Sequence, residues 1–143
     1  LRFLVELALG DLAPDQRDRV QQDWQTDLRV VEVDPGLLRL ALRNLLANAQ
    51  RHGGPGVQVV LRIAEQAAPP ALLLQVEDDG PGMPPERIAA VAEAGLDTAA
   101  AQMGGGLGLV VTRQVAQRHG GRLELRNRQP HGLRASLVLP LPG

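Results

Sequence analysis

Cysteine is absent from the 143 residues, which excludes disulfides, zinc-thiolate sites and thiol catalysis. Lysine is absent too, because all 15 basic residues are arginine. There is therefore no P-loop lysine, no strand lysine of the protein-kinase type and no Schiff base. Any phosphate contact must come from arginine, backbone amides or a metal. No apolar run approaches the ~20 residues that a membrane-spanning helix needs, and no stretch reads as a signal peptide. Charge of one sign is also missing. The 15 basic and 16 acidic side chains leave a net charge of −1 and interleave along the chain, which argues against a nucleic-acid backbone as partner.

At 44% hydrophobic residues the chain can bury one real core, and its length suits a single domain over residues 1–143. It begins at Leu1 without methionine and ends at Pro142-Gly143, so it reads as a piece of something longer.

Periodicity predicts a short helix over 2–10, stopped by glycine, and strands over 19–25 and 28–33. Asp34-Pro35 is a helix start, with a capping carboxylate and a proline in the first turn. The helix runs to about His52, carries Leu38, Ala41, Leu42, Leu45 and Ala49 on one face, and ends at Gly53-Gly54-Pro55. Strands are predicted over 57–63 and 72–77, with Gln66-Ala67-Ala68-Pro69-Pro70 as a soft linker. A short helix follows from Pro84-Pro85-Glu86 to about Ala94. Residues 95–106 show no pattern, and Leu107, Val111 and Val115 mark another helix closed by His119-Gly120-Gly121. Strands over 122–127 and 133–139 finish the chain. Helices mixed with hairpin-joined strands predict an α+β class, helices layered on one sheet.

Three clusters carry chemistry. On the helix after Asp34, Asn44, Asn48 and Arg51 share a stripe about 60° wide at the edge of the apolar face. Amide oxygens suit a hard cation such as magnesium, and a guanidinium adds charge for phosphates; a plain polar helix margin has the same composition. In Val76-Glu77-Asp78-Asp79-Gly80-Pro81-Gly82-Met83 a buried-type strand runs into a glycine turn. A carboxylate there can accept from an amino group such as that of adenine while Met83 covers a ring, although Asp-Gly and Gly-Pro also make ordinary turns. Gly104, Gly105, Gly106, Leu107, Gly108 and Leu109 stand immediately before a helix, where free amides favour an anion; a ligand-free glycine hinge is the alternative.

In that order the three clusters resemble the Bergerat nucleotide-binding fold, and most closely the catalytic ATP-binding domain of bacterial sensor histidine kinases. Residues 44–52 resemble the N box of that family, 78–82 its G1 box and 104–109 its G2 box. The resemblance extends to Asp34-Pro35, to His119-Gly120-Gly121 and to the closing Leu-Val-Leu-Pro-Leu strand, and so covers essentially the whole chain.

The resemblance implies a two-layer α/β sandwich with helices packed on one face of a mixed sheet, and ATP and Mg²⁺ as ligands. By family pattern Asp78 recognises the adenine amino group, Asn48 binds Mg²⁺ with Asn44 assisting, Arg51 contacts phosphate and His52 lies near the nucleotide. Gly80, Gly82 and Met83 shape the adenine end, and the glycines from 104 to 108 end a mobile lid. Relatives that hydrolyse ATP unaided carry a glutamate where this chain has Asn44. An amide is no general base, so the γ-phosphoryl group is expected to go to a histidine elsewhere. None of His52, His119 and His131 looks like the acceptor, since each is followed by glycine.

The implied partners are the dimerisation and histidine-phosphotransfer domain of the same kinase and, indirectly, a response regulator. No nucleic-acid or direct membrane contact is expected, and the fragment is expected to be monomeric, in the cytoplasmic part of a membrane-anchored sensor. Two departures from the family support the alternative of a degenerate nucleotide-binding or regulatory module. The F box has no phenylalanine, since Phe3 is the sole one in the chain, and residues 95–103 hold no arginine.

Overall fold

The apolar residues fall on helical and alternating stripes, and folding joins the two kinds into one core. A computed structural model describes residues 1–93 and 107–142. In chain order its elements are α1 (Arg2–Gly10), α2 (Pro14–Asp18), β1 (Val20–Trp24), α3 (Pro35–Gly53), β2 (Val59–Ala67), β3 (Pro70–Asp78), α4 (Pro85–Glu93), α5 (Leu107–Arg118), β4 (Arg122–Asn127) and β5 (Leu133–Pro140).

The five strands form one mixed sheet in the order β1-β2-β3-β5-β4. Only β1 and β2 run parallel, which α3 permits by crossing over between them; the remaining pairs are antiparallel. Successive side chains of a strand point to opposite faces. On β3, Leu72, Leu74 and Val76 face the helices and meet Leu38, Leu42, Leu45 and Leu46 of α3, with Val5 of α1 and Val110 of α5 completing the same core. The expected layer of helices on one face of a mixed sheet is what forms.

Helix α3 begins as its sequence dictates, with Asp34 Oδ1 accepting from Leu37 N–H at 3.0 Å and Pro35 in the first turn. His119, just past α5, fastens that start. Its Nδ1 lies 2.8 Å from Val115 O, and its Nε2 accepts from Asp34 N–H at 3.0 Å.

Two predicted segments differ. Residues 28–33 form no strand, because the chain must climb from the end of β1 to the helix layer to begin α3. Leu28, Val31 and Val33 pack against the core from irregular backbone, while Val30 is 79% exposed. The soft linker is also mostly strand. Gln66 pairs with Ala71 and Ala67 with Pro70, so β2 and β3 form a tight hairpin whose ladder runs on past the apolar residues.

The sheet face away from the helices carries charge. Glu77 is only 4% exposed there and is bonded by Arg62, by Arg134 (Nε to Oε2 at 2.9 Å) and, at 3.4 Å, by Arg128 Nε. Burial alone would push its carboxyl up, but the Arg134 and Arg62 hydrogen bonds hold it below its ordinary value. A depressed carboxyl stabilises the fold above its ordinary pKa, and that contribution is lost as pH falls through the depressed value. Glu77→Gln is therefore expected to cost about 2 kcal/mol near neutral pH. Urea denaturation should show the gap to wild type closing in acid.

Candidate functional site

The site is built along α3. Asn44, Asn48 and Arg51 lie on this helix, with Asn44 half-buried, Asn48 4% exposed and Arg51 exposed in the last turn. Asn44 and Asn48 are one turn apart and share a face. Asn48 Oδ1 is buried and meets no hydrogen-bond partner among the described residues. An orphaned buried carbonyl is costly unless something else satisfies it. Among the described residues no three His, Asp or Glu side chains gather into a metal cage. A divalent cation here would take amide oxygen from the protein and the rest of its shell from water and phosphate, as magnesium does. The donor set fits that ion.

The C-terminal end of α3 meets the turn after β3. At Gly80 a Cβ would fall 2.5 Å from Gly53 Cα, so this contact requires bare backbone on the Gly80 side. That approach brings His52 and Asp78 to one narrow cleft, lined also by Gly82, Met83, Pro84, Arg87 and Leu133. Asp78 ends β3 and is 4% exposed. Its Oδ1 accepts from Gly80 N–H at 2.9 Å and Leu133 N–H at 3.3 Å, while Oδ2 has no hydrogen-bond partner among the described residues. The carboxylate is thus held by one oxygen and offers the other. Met83 is buried and supplies an apolar wall.

The N-terminus of α5 approaches the middle of α3. Gly108 sits so that a Cβ would lie 3.6 Å from Asn44 Cγ. Leu107 opens the helix and Leu109 is buried in the core, where it anchors the first turn. Gly104, Gly105 and Gly106, together with the lid over 95–103, lie outside the described residues. The structure therefore gathers Asn44, Asn48, His52, Asp78, Gly80, Gly82, Met83 and Gly108 along one helix.

Burial and the Arg51 and Arg87 guanidiniums push His52 below its ordinary pKa, outweighing the opposite pull of Asp78, so the ring is neutral near pH 7. Burial pushes the Asp78 carboxyl up, against the Gly80 and Leu133 amides; Asp79 adds to the rise and Arg128 opposes it.

Sequence reading missed the end of β4 and the connection after it. Asn127 bonds both backbone groups of Met83, and Arg128 Nη1 donates to Asp78 O at 2.8 Å. Gly132 packs so closely that a Cβ would lie 2.2 Å from Asp78 O, and its φ of +107° also demands glycine. Nothing in the hydrophobic pattern marks these residues. The one available signal was a glycine just before a strand.

A raised carboxyl means that the folded chain holds that proton more tightly than the unfolded chain does. Stability therefore falls as pH rises from the ordinary carboxylate range through the raised value. Asp78→Asn keeps an Oδ1 for both amides and removes the buried charge. Its melting temperature is expected to exceed that of wild type by a few degrees near neutral pH, the gap narrowing in acid. Thermal melts across that range check this.

Residues 33–143 match the sequence profile of the family described as histidine kinase-, DNA gyrase B-, and HSP90-like ATPase. The chain is 38% identical over 118 residues to the sensor histidine kinase GtrS of Pseudomonas aeruginosa, which covers 80% of this chain and 24% of that protein. It is 36% identical over 111 residues to the sensor protein BasS of Salmonella typhimurium, 77% of this chain and 30% of that one. Among solved structures it resembles the mycobacterial sensor histidine kinase MprB, with a TM-score of 0.77 at 29% identity over 98% of this chain and 95% of that chain. The chain spans about a quarter of the length of the curated relatives it matches. With α3 carrying a buried Asn48 oxygen that has no partner among the described residues, and a half-held carboxylate at its far end, the chain belongs to the histidine kinase-, DNA gyrase B- and HSP90-like ATPases, as a catalytic ATP-binding domain of the sensor-kinase kind.

Proposed function

We propose that this chain binds Mg-ATP along α3 and presents its γ-phosphoryl group to a histidine on a separate dimerisation domain. The observation that carries the reading is a pair of oxygens at the two ends of the site, Asn48 Oδ1 and Asp78 Oδ2, that have no hydrogen-bond partner among the described residues. The free oxygen of Asp78 would accept from the adenine amino group, with Met83 and neutral His52 as walls of the slot. Asn48 and Asn44 would hold Mg²⁺, which when bound neutralises and orients the phosphates. Arg51 would add positive charge to the same end.

Group transfer then asks little of this chain beyond placement. A neutral imidazole nitrogen on the partner attacks the γ-phosphorus, the bond to the β,γ-bridging oxygen breaks, and ADP leaves with that electron pair. Asn44 in place of a carboxylate leaves no side chain there to activate water. The histidines fit this division of labour: His119 is committed at both nitrogens, His131 approaches Gly80 O at 3.3 Å, and His52 lines the cleft. The whole protein would be a sensor kinase that signals through a response regulator. No helix among the described residues is long and apolar enough to cross a membrane. The domain would lie on the cytoplasmic side of such a sensor.

Calorimetric titration with a non-hydrolysable ATP analogue and Mg²⁺ tests the binding. Asp78→Asn is expected to weaken binding by about tenfold or more, and Asn48→Ala to abolish its magnesium dependence. Added dimerisation domain should become phosphorylated from ATP. Steady phosphate release with no acceptor present would overturn the transferase reading, and a folded wild type that fails to bind would overturn the nucleotide site.

A further inference from the structure

The turn after β3 leaves the sheet, yet its backbone is held at three points by one short segment, residues 127–133. At the first point Asn127 stands in for a strand. Its Oδ1 accepts from Met83 N–H at 2.8 Å and its Nδ2 donates to Met83 O at 2.8 Å. The two bonds run in opposite directions, like a rung of an antiparallel ladder. Only an amide of this length has a donor and an acceptor side by side at that reach: aspartate lacks the donor, and glutamine is a methylene too long. Gly82 is fitted to it, since a Cβ there would lie 2.7 Å from Asn127 Oδ1.

At the second point the Arg128 guanidinium donates to Asp78 O at 2.8 Å while its Nε lies 3.4 Å from Glu77 Oε2. Its own N–H donates to Gly132 O at 2.8 Å, which closes the segment on itself. At the third, His131 Nδ1 lies 3.3 Å from Gly80 O. Neither Asn127 nor Arg128 lines the cleft formed by His52, Asp78, Met83 and Arg87. Whatever they do for a ligand, they do through the backbone they hold.

We propose that Asn127, seconded by Arg128, is the positioning residue of the adenine slot, fixing the separation between the Asp78 carboxylate and the Met83 side chain. This rests on the nucleotide reading of the cleft. A purine needs its amino group on the carboxylate and its ring against the apolar wall at the same time, so a slot of the wrong width loses one contact or the other. The phosphate end is built on α3 and α5 and does not depend on these bonds.

The test compares wild type, Asn127→Ala, Asn127→Asp, Arg128→Met and Arg128→Lys. Each is titrated with a non-hydrolysable ATP analogue with and without Mg²⁺, well below its melting temperature. Asn127→Ala and Asn127→Asp are expected to bind about tenfold more weakly. The factor by which Mg²⁺ tightens binding should stay at its wild-type value. Arg128→Met should weaken binding in the same way and Arg128→Lys should restore most of it; this pair carries the test if the Asn127 variants fail to fold. Wild-type affinity in folded Asn127→Ala or Arg128→Met overturns the proposal. So does a loss that also removes the magnesium effect, because it marks general loosening. A wild type that does not bind the analogue overturns the nucleotide reading itself, and the positioning role falls with it.

Discussion

The contact between Gly53 and Gly80 sets what the rest of the site can be. A helix and a strand-end turn normally keep at least a side chain's width between them. Here a methyl on Gly80 would strike the Gly53 backbone, and the missing atom brings the last turn of α3 against the end of β3. That closeness puts His52 and Asp78 in one cleft and makes α3 the spine of the site. Asn48, a little over one turn back along the helix, then stands at a fixed rise of about 1.5 Å per residue from that cleft. On the proposed reading, the spacing between base and phosphates is thus set by one rigid element and one backbone contact.

Adjacent carboxylates on β3 show how the pleat divides labour. Glu77 and Asp78 are equally buried and point to opposite faces of the sheet. Guanidiniums outweigh burial at Glu77 and hold it ionised, whereas at Asp78 burial outweighs the Gly80 and Leu133 amides and pushes the carboxyl up. Burial is common to both, so the partners decide the direction. One charge is spent on tying β2, β3 and β5 together; its neighbour keeps an oxygen to offer. Arg128 touches both residues, the side chain of one and the main chain of the other, and so links the structural face to the functional one.

Most of the architecture was legible because helix stripes and strand alternation are local signals. The cap at Asp34, the apolar face of α3 and the boundaries of β4 and β5 follow from them. Residues 28–33 misled for a physical reason: alternation reports a half-buried path, and irregular backbone crossing from sheet to helix layer is half-buried too. The proline-rich stretch 66–70 misled in the opposite sense, since a hairpin ladder is made of backbone bonds and tolerates Gln66 and Pro70 at its tip. At the site, the motif residues were visible as glycines, amides and a carboxylate at suggestive spacings. Asn127 and Arg128 were not, because their role exists only once the β4–β5 connection folds back onto the turn after β3, a juxtaposition of residues more than forty apart in sequence.

His119 has a mechanical consequence. It rivets the end of α5 to the start of α3, while Gly108 at the other end of α5 rests against Asn44. The two antiparallel helices are pinned twice over a length of about 15 Å. The second half of α3 continues past that pair and is fastened separately, by Gln50 Nε2 donating to Gln16 O at 2.8 Å and by the close approach of Gly80 to Gly53. A tilt of the helix pair would then carry the whole of α3 with it, the half that meets Gly80 included, instead of being absorbed between two helices sliding past each other.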